Sequence, residues 1–145
     1  MGDDCMMNNN LKWCREELEM TQDELGYVFG VSGKTVAGWE NNFDPMPLSK
    51  MIKFANLYHY SIDFITGLSR KNNYVELDKV DKVKLGKRLK ELRLKLNLKQ
   101  KEIAKECGIS QTTYSNYELG YNLITSLSLY IICKSHNISM DKILK

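Results

Sequence analysis

The 145-residue sequence is poor in residues that interrupt regular structure, with only 2 prolines and 9 glycines. This scarcity favours helices joined by short turns over the many turns of a β-sandwich or barrel. No apolar run approaches the about 20 residues that cross a bilayer, because the longest, from Leu127 to Cys133, is interrupted by Ser128. The first ten residues lack the basic region and apolar core of a secretory signal. We therefore expect an all-α, cytoplasmic protein with no membrane partner.

The cysteines and histidines do not form a pattern typical of a metal site or a disulfide framework. The sequence has no C-x-x-C pair, and its four cysteines lie far apart, at Cys5, Cys14, Cys107 and Cys133. Reduced, structural thiols are the expectation for such a pattern in the cytosol. His59 and His136 have no acidic or cysteine partner at ligand spacing, and we interpret them as ordinary helix residues. The sequence predicts no metal and no cofactor.

Positive charge is scarce in the first half of the chain and abundant in the second. Residues 1–73 contain 7 Lys and Arg against 10 Asp and Glu, a net charge of −3. Residues 74–145 contain 14 against 8, a net charge of +6. Such an asymmetry indicates that the halves meet different partners, with the basic half the candidate for binding a polyanion.

The sequence repeats itself. A shift of 78 residues, without a gap, aligns residues 11–67 with residues 89–145, and 13 pairs are identical, including Arg15/Arg93, Gln22/Gln100, Gly30/Gly108 and Glu40/Glu118. Because glycines and charges match as well as apolar residues, duplication explains the alignment better than chance. The length therefore corresponds to two modules of about 60 residues, a size that folds alone.

Each module has the pattern of a helix, a tight turn and a second helix. In the second module, leucines at 85, 89, 92 and 96 form one stripe of a helix that we expect to begin as early as Asp78. A helix from Gln100 to Cys107 follows, then a Gly-Ile-Ser turn whose glycine can end one helix and whose serine can cap the next. The first module repeats this with a capping box that begins at Thr21, followed by a Gly-Val-Ser turn.

The stretch QKEIAKECGISQTTYSNYELG, residues 100–120, resembles the helix-turn-helix of the lambda-repressor and Cro type, the XRE family, and so does QDELGYVFGVSGKTVAGWENN, residues 22–42. The resemblance extends through the last two helices of each copy. It implies an all-α fold of two tandem five-helix, lambda-repressor-like DNA-binding domains. We expect an acidic N-terminal module at residues 1–68, a linker at 69–77 whose residues 69–73 are polar and flexible, and a basic C-terminal module at 78–145.

The resemblance also implies that the helix after the turn enters the major groove of double-stranded DNA. Gln and Asn suit the adenine edge, and threonine methyls suit thymine. Gln100 matches a glutamine that binds a phosphate and braces this helix, and Lys99 and Lys101 are the nearest cations, with Arg88 or Lys95 as further phosphate contacts. The expected base-reading residues of the C-terminal module are Gln111, Thr112, Thr113, Ser115 and Asn116.

The N-terminal module departs from this set. Its equivalent face consists of Gly33, Lys34, Thr35, Ala37 and Gly38. Lys34 is its one long side chain that can reach a guanine, Thr35 lies beside it, and Gln22 matches Gln100. The following loop, residues 41–45, contains an acid where the family often has basic contacts. We therefore expect the C-terminal module to be the main reader.

Several residues of the two modules are expected to have structural rather than DNA-binding roles. Arg15 with Glu40, and Arg93 with Glu118, match an ion pair that ties the first helix to the end of the recognition helix, so these arginines are expected to be structural. Trp39 and Tyr117 are expected in the core rather than stacked on bases. About half of the lysines between 79 and 105 are expected to form only a solvated face.

The leading interpretation is a sequence-specific, repressor-like transcriptional regulator without enzymatic activity. The alternative is a protein-interaction or antitoxin-like module, at least for the N-terminal half, through which the chain contacts a protein partner or forms a homodimer. An enzyme is a distant third, because no nucleophile with its base, no metal cluster and no phosphate loop is evident. The string at residues 32–35, Ser-Gly-Lys-Thr, lacks the upstream glycine of a P-loop.

Overall fold

A computed structural model describes residues 7–145, which form ten α-helices and no strand. The chain divides into two compact units, Met1–Glu76 and Leu77–Lys145, with five helices each. We refer to them as the N-terminal and C-terminal modules. In the described residues, no helix is both long enough and apolar enough to span a membrane.

The N-terminal module contains α1 to α5, and local capping interactions set their ends. Thr21 and Glu24 form the predicted capping box at the start of α2, and Gly30, at a φ of 68°, ends this helix in the left-handed conformation. Ser32 then accepts a hydrogen bond from the Thr35 amide to begin α3. The helices are α1 (Leu11–Glu17), α2 (Gln22–Phe29), α3 (Gly33–Glu40), α4 (Leu48–Tyr58) and α5 (Ile62–Thr66).

The C-terminal module contains α6 to α10 and repeats this arrangement. Its first helix begins at Lys82 rather than at Asp78 as predicted, because the Asp81 carboxylate caps the amides of Val83 and Lys84. A side-chain acceptor at this position satisfies amides that have no partner within the helix, and so marks its start. The helices are α6 (Lys82–Lys95), α7 (Gln100–Cys107), α8 (Gln111–Glu118), α9 (Ser126–Ser135) and α10 (Met140–Leu144).

Each module has its own core. In the N-terminal module, Phe54 is fully buried and contacts the rings of Phe29 and Tyr60. In the C-terminal module, Tyr114, Leu129 and Ile132 are fully buried. The predicted leucine stripe of α6 is buried most deeply at Leu85 and Leu89.

The start of the predicted flexible linker packs against the N-terminal module. The Asn72 amide group donates to the His59 carbonyl and its oxygen accepts from the Ser61 amide. The Tyr74 ring stacks on His59 at 4.8 Å between centroids, and its hydroxyl bonds to Asn56. The Asn72 side chain thus connects this segment to the end of α4 and the start of α5, and the flexibility expected for residues 69–73 stays a prediction.

The two histidines end helices rather than lying within them. His59 caps α4 in the left-handed conformation. His136 caps α9, and its Nε2 lies 2.8 Å from Glu106 Oε1. The acidic partner of His136 was not evident from the sequence, because Glu106 lies 30 residues earlier.

Three of the cysteines lie in the described residues, and none of these three forms a disulfide bond. Burial raises the pKa of Cys14 to about 12 and that of Cys107 to about 11, so both thiols stay protonated and unreactive at neutral pH. Cys133 is fully buried. Cys5 lies outside the described residues.

Candidate nucleic-acid interface

The turn between α7 and α8 holds the two helices in a fixed relation. Gly108 ends α7 at a φ of 68°, a conformation that glycine adopts without strain. The Ile109 amide donates to the Ala104 carbonyl at 3.1 Å, and Ser110 caps α8 by accepting from the Thr113 amide at 3.0 Å. Backbone and cap together therefore fix how the first turn of α8 is presented.

One side of α8 is buried and the opposite side is open. Tyr114 and Tyr117 face the core, with 0% and 6% of their surface exposed. The expected base-reading residues lie on the other side: Gln111 and Thr112 are exposed, and Thr113, Ser115 and Asn116 are partly exposed. Within the described part of the chain, the side chains of Gln111, Thr112 and Asn116 form no hydrogen bond with other protein groups. Their donors and acceptors are available to an external partner.

The C-terminal end of α8 is fixed by a buried ion pair. The Arg93 guanidinium donates to both Glu118 oxygens, at 2.7 and 3.1 Å, and to the Leu98 carbonyl at 3.0 Å. Gln100 donates to the same carboxylate at 3.0 Å. Desolvation alone would raise the pKa of Glu118, but hydrogen bonds, foremost that from Arg93, lower it. These contacts connect α6, α7 and α8, so they brace α8.

The N-terminal module has the same brace. Arg15 donates to both Glu40 oxygens and to the Met20 carbonyl, and Gln22 donates to Glu40 at 3.0 Å. The structural interpretation of Arg15 and Arg93 is thus confirmed. So is the core position of Trp39, which is 4% exposed. The brace formed by Gln22 and Gln100 is present, whereas their contact with phosphate stays a prediction.

The expected phosphate-binding cations differ in availability. Lys99 and Lys101, at the start of α7, and Lys95, at the end of α6, are exposed. The partly exposed Arg88 guanidinium donates to the carbonyls of Ile143 and Lys145 and so closes the carboxyl end of α10. Its contact with phosphate stays a prediction.

The face of α3 presents fewer hydrogen-bonding side chains than that of α8. Lys34 and Thr35 are exposed, and the Thr35 hydroxyl contacts the Ser32 hydroxyl as the Thr113 hydroxyl contacts that of Ser110. Gly33 and Gly38 are buried although they occupy the positions of Gln111 and Asn116. The sequence shows the two glycines, but not that the carboxylates of Asp23 and Asp44 lie next to them.

Comparison with known proteins agrees with this geometry. A helix-turn-helix family model matches residues 11–65 and again residues 89–143. One curated relative, the uncharacterized HTH-type transcriptional regulator YobD of Bacillus subtilis (strain 168), is 30% identical over 64 residues, which make up 44% of this chain and 57% of that regulator. No solved structure matches the chain. Each family match contains one of the two braced helix pairs and extends to the last helix of its module. The chain therefore belongs to the XRE-type helix-turn-helix family, with two copies of the domain in tandem.

Proposed function

We propose that the protein is a transcriptional regulator that binds double-stranded DNA in a sequence-specific manner and reads the major groove with α8. The observation that carries this proposal is the open face of α8, where Gln111, Thr112 and Asn116 project from a helix that is braced at its other end. A rigid helix with free amide side chains suits direct readout of base edges. The sequence similarity to a transcriptional regulator supports the same function.

The contacts divide into two kinds with different consequences. Gln111 and Asn116 carry both donors and acceptors, as the N6/N7 edge of adenine requires, and Thr112 and Thr113 carry methyl groups that suit thymine. Lys99 and Lys101 are exposed at the start of α7, the helix that precedes α8 in the chain. They serve as backbone contacts, which add affinity without specifying sequence. The basic character of this module adds attraction to the polyanion.

The test has two steps. Sequences bound by the full-length protein are first selected from a random duplex pool at near-physiological salt, which we expect to enrich one motif. The affinity of Gln111→Ala/Asn116→Ala is then measured for that motif and for random DNA. We expect a loss of about 1 to 3 kcal/mol for each base-reading pair on the motif and little loss on random DNA.

Lys99→Ala/Lys101→Ala provides the contrast, and Lys34→Ala/Thr35→Ala is the matched control in α3. The first pair should weaken binding to all sequences and reduce the salt dependence by nearly one unit of slope per lost phosphate contact. The control should leave binding to the motif unchanged. An equal loss on motif and random DNA for the Gln111/Asn116 variant would refute base reading by α8, and an absence of enrichment would refute sequence-specific binding.

The N-terminal module supports a second candidate function, a protein-interaction surface. Its net charge is −3 over residues 1–73, and its exposed aromatic side chains include Tyr27 at 89% and Phe43 at 81%. Exposed aromatic residues are typical of protein interfaces, and a net negative charge opposes binding to the DNA polyanion. Sedimentation velocity over a concentration range would detect self-association, and substituting Tyr27 and Phe43 by serine should abolish it if this surface is the interface.

A further inference from the structure

The two recognition helices have the same backbone setting and opposite surface chemistry. Ser32 and Ser110 cap α3 and α8 in the same way. The loop after each helix also closes identically, since the amides of residues 43 and 44 donate to the Gly38 carbonyl, and those of residues 121 and 122 donate to the Asn116 carbonyl. Corresponding residues therefore lie at corresponding positions of the helix and of the loop that follows it, where the two modules can be compared residue by residue.

The first residue of α8 is Gln111, a proposed base-reading residue, whereas the first residue of α3 is Gly33, which has the Asp23 carboxylate beside it. A Cβ added to Gly33 would overlap Asp23 Oδ1 and would lie 3.0 Å from Asp23 Cγ. The acid side chain thus occupies the space from which a side chain like Gln111 would project. In the C-terminal module, the residue that corresponds to Asp23 is Lys101, a cation.

At the sixth residue, α3 again has a glycine where α8 has an amide side chain. Gly38 is the counterpart of Asn116, and a Cβ there would lie 3.7 Å from Asp44 Oδ2, an ordinary van der Waals contact. The residue that corresponds to Asp44 is the neutral Asn122. Two exposed carboxylates therefore flank α3 at both positions where α8 presents amide side chains.

Carboxylates in these places oppose the approach of DNA. The recognition helix of this fold lies between two phosphate backbones when it enters the major groove. Like charges about 4 Å apart repel in water by enough to lower an affinity about fivefold. The Asp23 carboxylate also occupies the place of a base-contacting side chain at residue 33, whereas Asp44 acts by its charge beside residue 38. Lys34 supplies one positive charge on the face of α3, against the two negative charges of Asp23 and Asp44.

We propose that Asp23 and Asp44 exclude DNA from α3, so that each chain carries a single DNA reader, α8. This inference rests on the proposed function, since it presumes that α8 reads DNA. It follows that an operator with two half-sites requires two chains rather than the two modules of one chain.

The test uses the full-length protein and neutralises the two acids in Asp23→Asn/Asp44→Asn. The control is Glu16→Gln/Glu17→Gln, which removes the same charge from exposed positions on α1 of the same module. Affinity for a random duplex is measured between 50 and 200 mM salt, with circular dichroism to verify folding. We expect the Asp variant to bind at least about fivefold more tightly at the low-salt end, with a steeper salt slope, and the Glu variant to change affinity less than twofold.

Equal effects of the two variants would overturn the proposal, because the acids beside α3 would then act only through net charge. A wild-type stoichiometry of one chain on a two-half-site operator would overturn it as well. Failure of the proposed function has a different signature: the wild-type protein would enrich no motif, whatever the Asp variant does. If α8 reads DNA and Lys34→Ala also weakens binding to the motif, α8 stands as the reader and the exclusion from α3 fails.

Discussion

Removal of the Glu118 carboxylate should destabilise the C-terminal module severely. The side chain is 3% exposed and accepts hydrogen bonds from Arg93 and Gln100, and Arg93 itself is 12% exposed. Glu118→Ala leaves a buried guanidinium without its counter-charge, a change that costs about 3 to 5 kcal/mol. We expect the lower end, about 3 kcal/mol, because Arg93 keeps its hydrogen bond to the Leu98 carbonyl.

This cost is large relative to the size of the module. A unit of about 70 residues is stable by about 4 to 10 kcal/mol, and 1 kcal/mol shifts the midpoint of a domain this small by about 4 to 8 °C. Glu118→Ala should therefore lower the melting temperature of this module by at least about 12 °C. Glu118→Gln keeps the shape and one acceptor, so it should cost less.

The ion pair also predicts a pH dependence. Desolvation opposes ionisation of Glu118, but the hydrogen bonds, led by that from Arg93, outweigh it and lower the pKa below the ordinary 4.5. A carboxylate with a depressed folded pKa adds stability that is fully present above the unfolded pKa and is lost as the pH falls through the folded pKa. The difference in unfolding free energy between wild type and Glu118→Gln should therefore be constant above about pH 5.5 and shrink below about pH 4.5.

The assay can follow the two modules separately. The 2 tryptophans, Trp13 and Trp39, both lie in the N-terminal module, so their fluorescence during urea unfolding reports that module. Hydrogen exchange of peptides from α6 and α8, followed by mass spectrometry, reports the other. A loss below about 1 kcal/mol in the α8 peptides would refute the buried-pair reasoning, because that is what an exposed pair would contribute. Glu40→Ala is the matched variant, and it should shift the tryptophan transition instead.

The glycines provide the remaining predictions. Gly108→Ala should destabilise the C-terminal module by about 1 to 2 kcal/mol through backbone strain alone, since its φ is +68° and nothing lies within 4 Å of the new Cβ; a thermal melt by circular dichroism checks this, and an unchanged melt would contradict it. Gly38→Ala should stabilise the N-terminal module by up to about 1 kcal/mol, because this helical glycine has room for a Cβ; tryptophan-monitored unfolding would show the opposite shift if the Asp44 contact mattered more. Gly86→Ala should displace α8, because its Cβ would approach the Tyr117 and Glu118 carbonyls to 2.5 and 2.6 Å, and an unchanged operator affinity would contradict this.

The sequence predicts much of the fold because the decisive signals are local. Capping residues such as Thr21 and Ser110 and the left-handed Gly30 and Gly108 mark helix ends within a few residues, and the repeat shows that two copies share one fold. The predicted start of α6 at Asp78 was wrong for a local reason as well. The Asp81 side chain caps the helix, and the leucine pattern alone does not show where the cap lies.

Contacts between distant residues were harder to predict. Arg88 bonds to the carboxyl end of α10, 55 residues away, and Glu106 pairs with His136, 30 residues away. Neither contact can be predicted from a periodic pattern in the sequence. The braces of Glu40 and Glu118 were predicted only because the family pairs them with Arg15 and Arg93. The glycines of α3 were visible in the sequence, but the carboxylates beside them became evident only when α2 and the loop at Asp44 were placed in space.

Photocrosslinking from matched positions of α8 and α3 tests the central claim most directly. A benzophenone amino acid is placed in the full-length protein at Thr112 or at Lys34, which are both exposed second residues of their helices, and the protein is irradiated on its selected operator. If α8 reads the DNA and α3 is excluded, position 112 crosslinks to bases of the motif and position 34 does not. Equal crosslinking from both positions, or crosslinking from position 34 alone, would contradict the account.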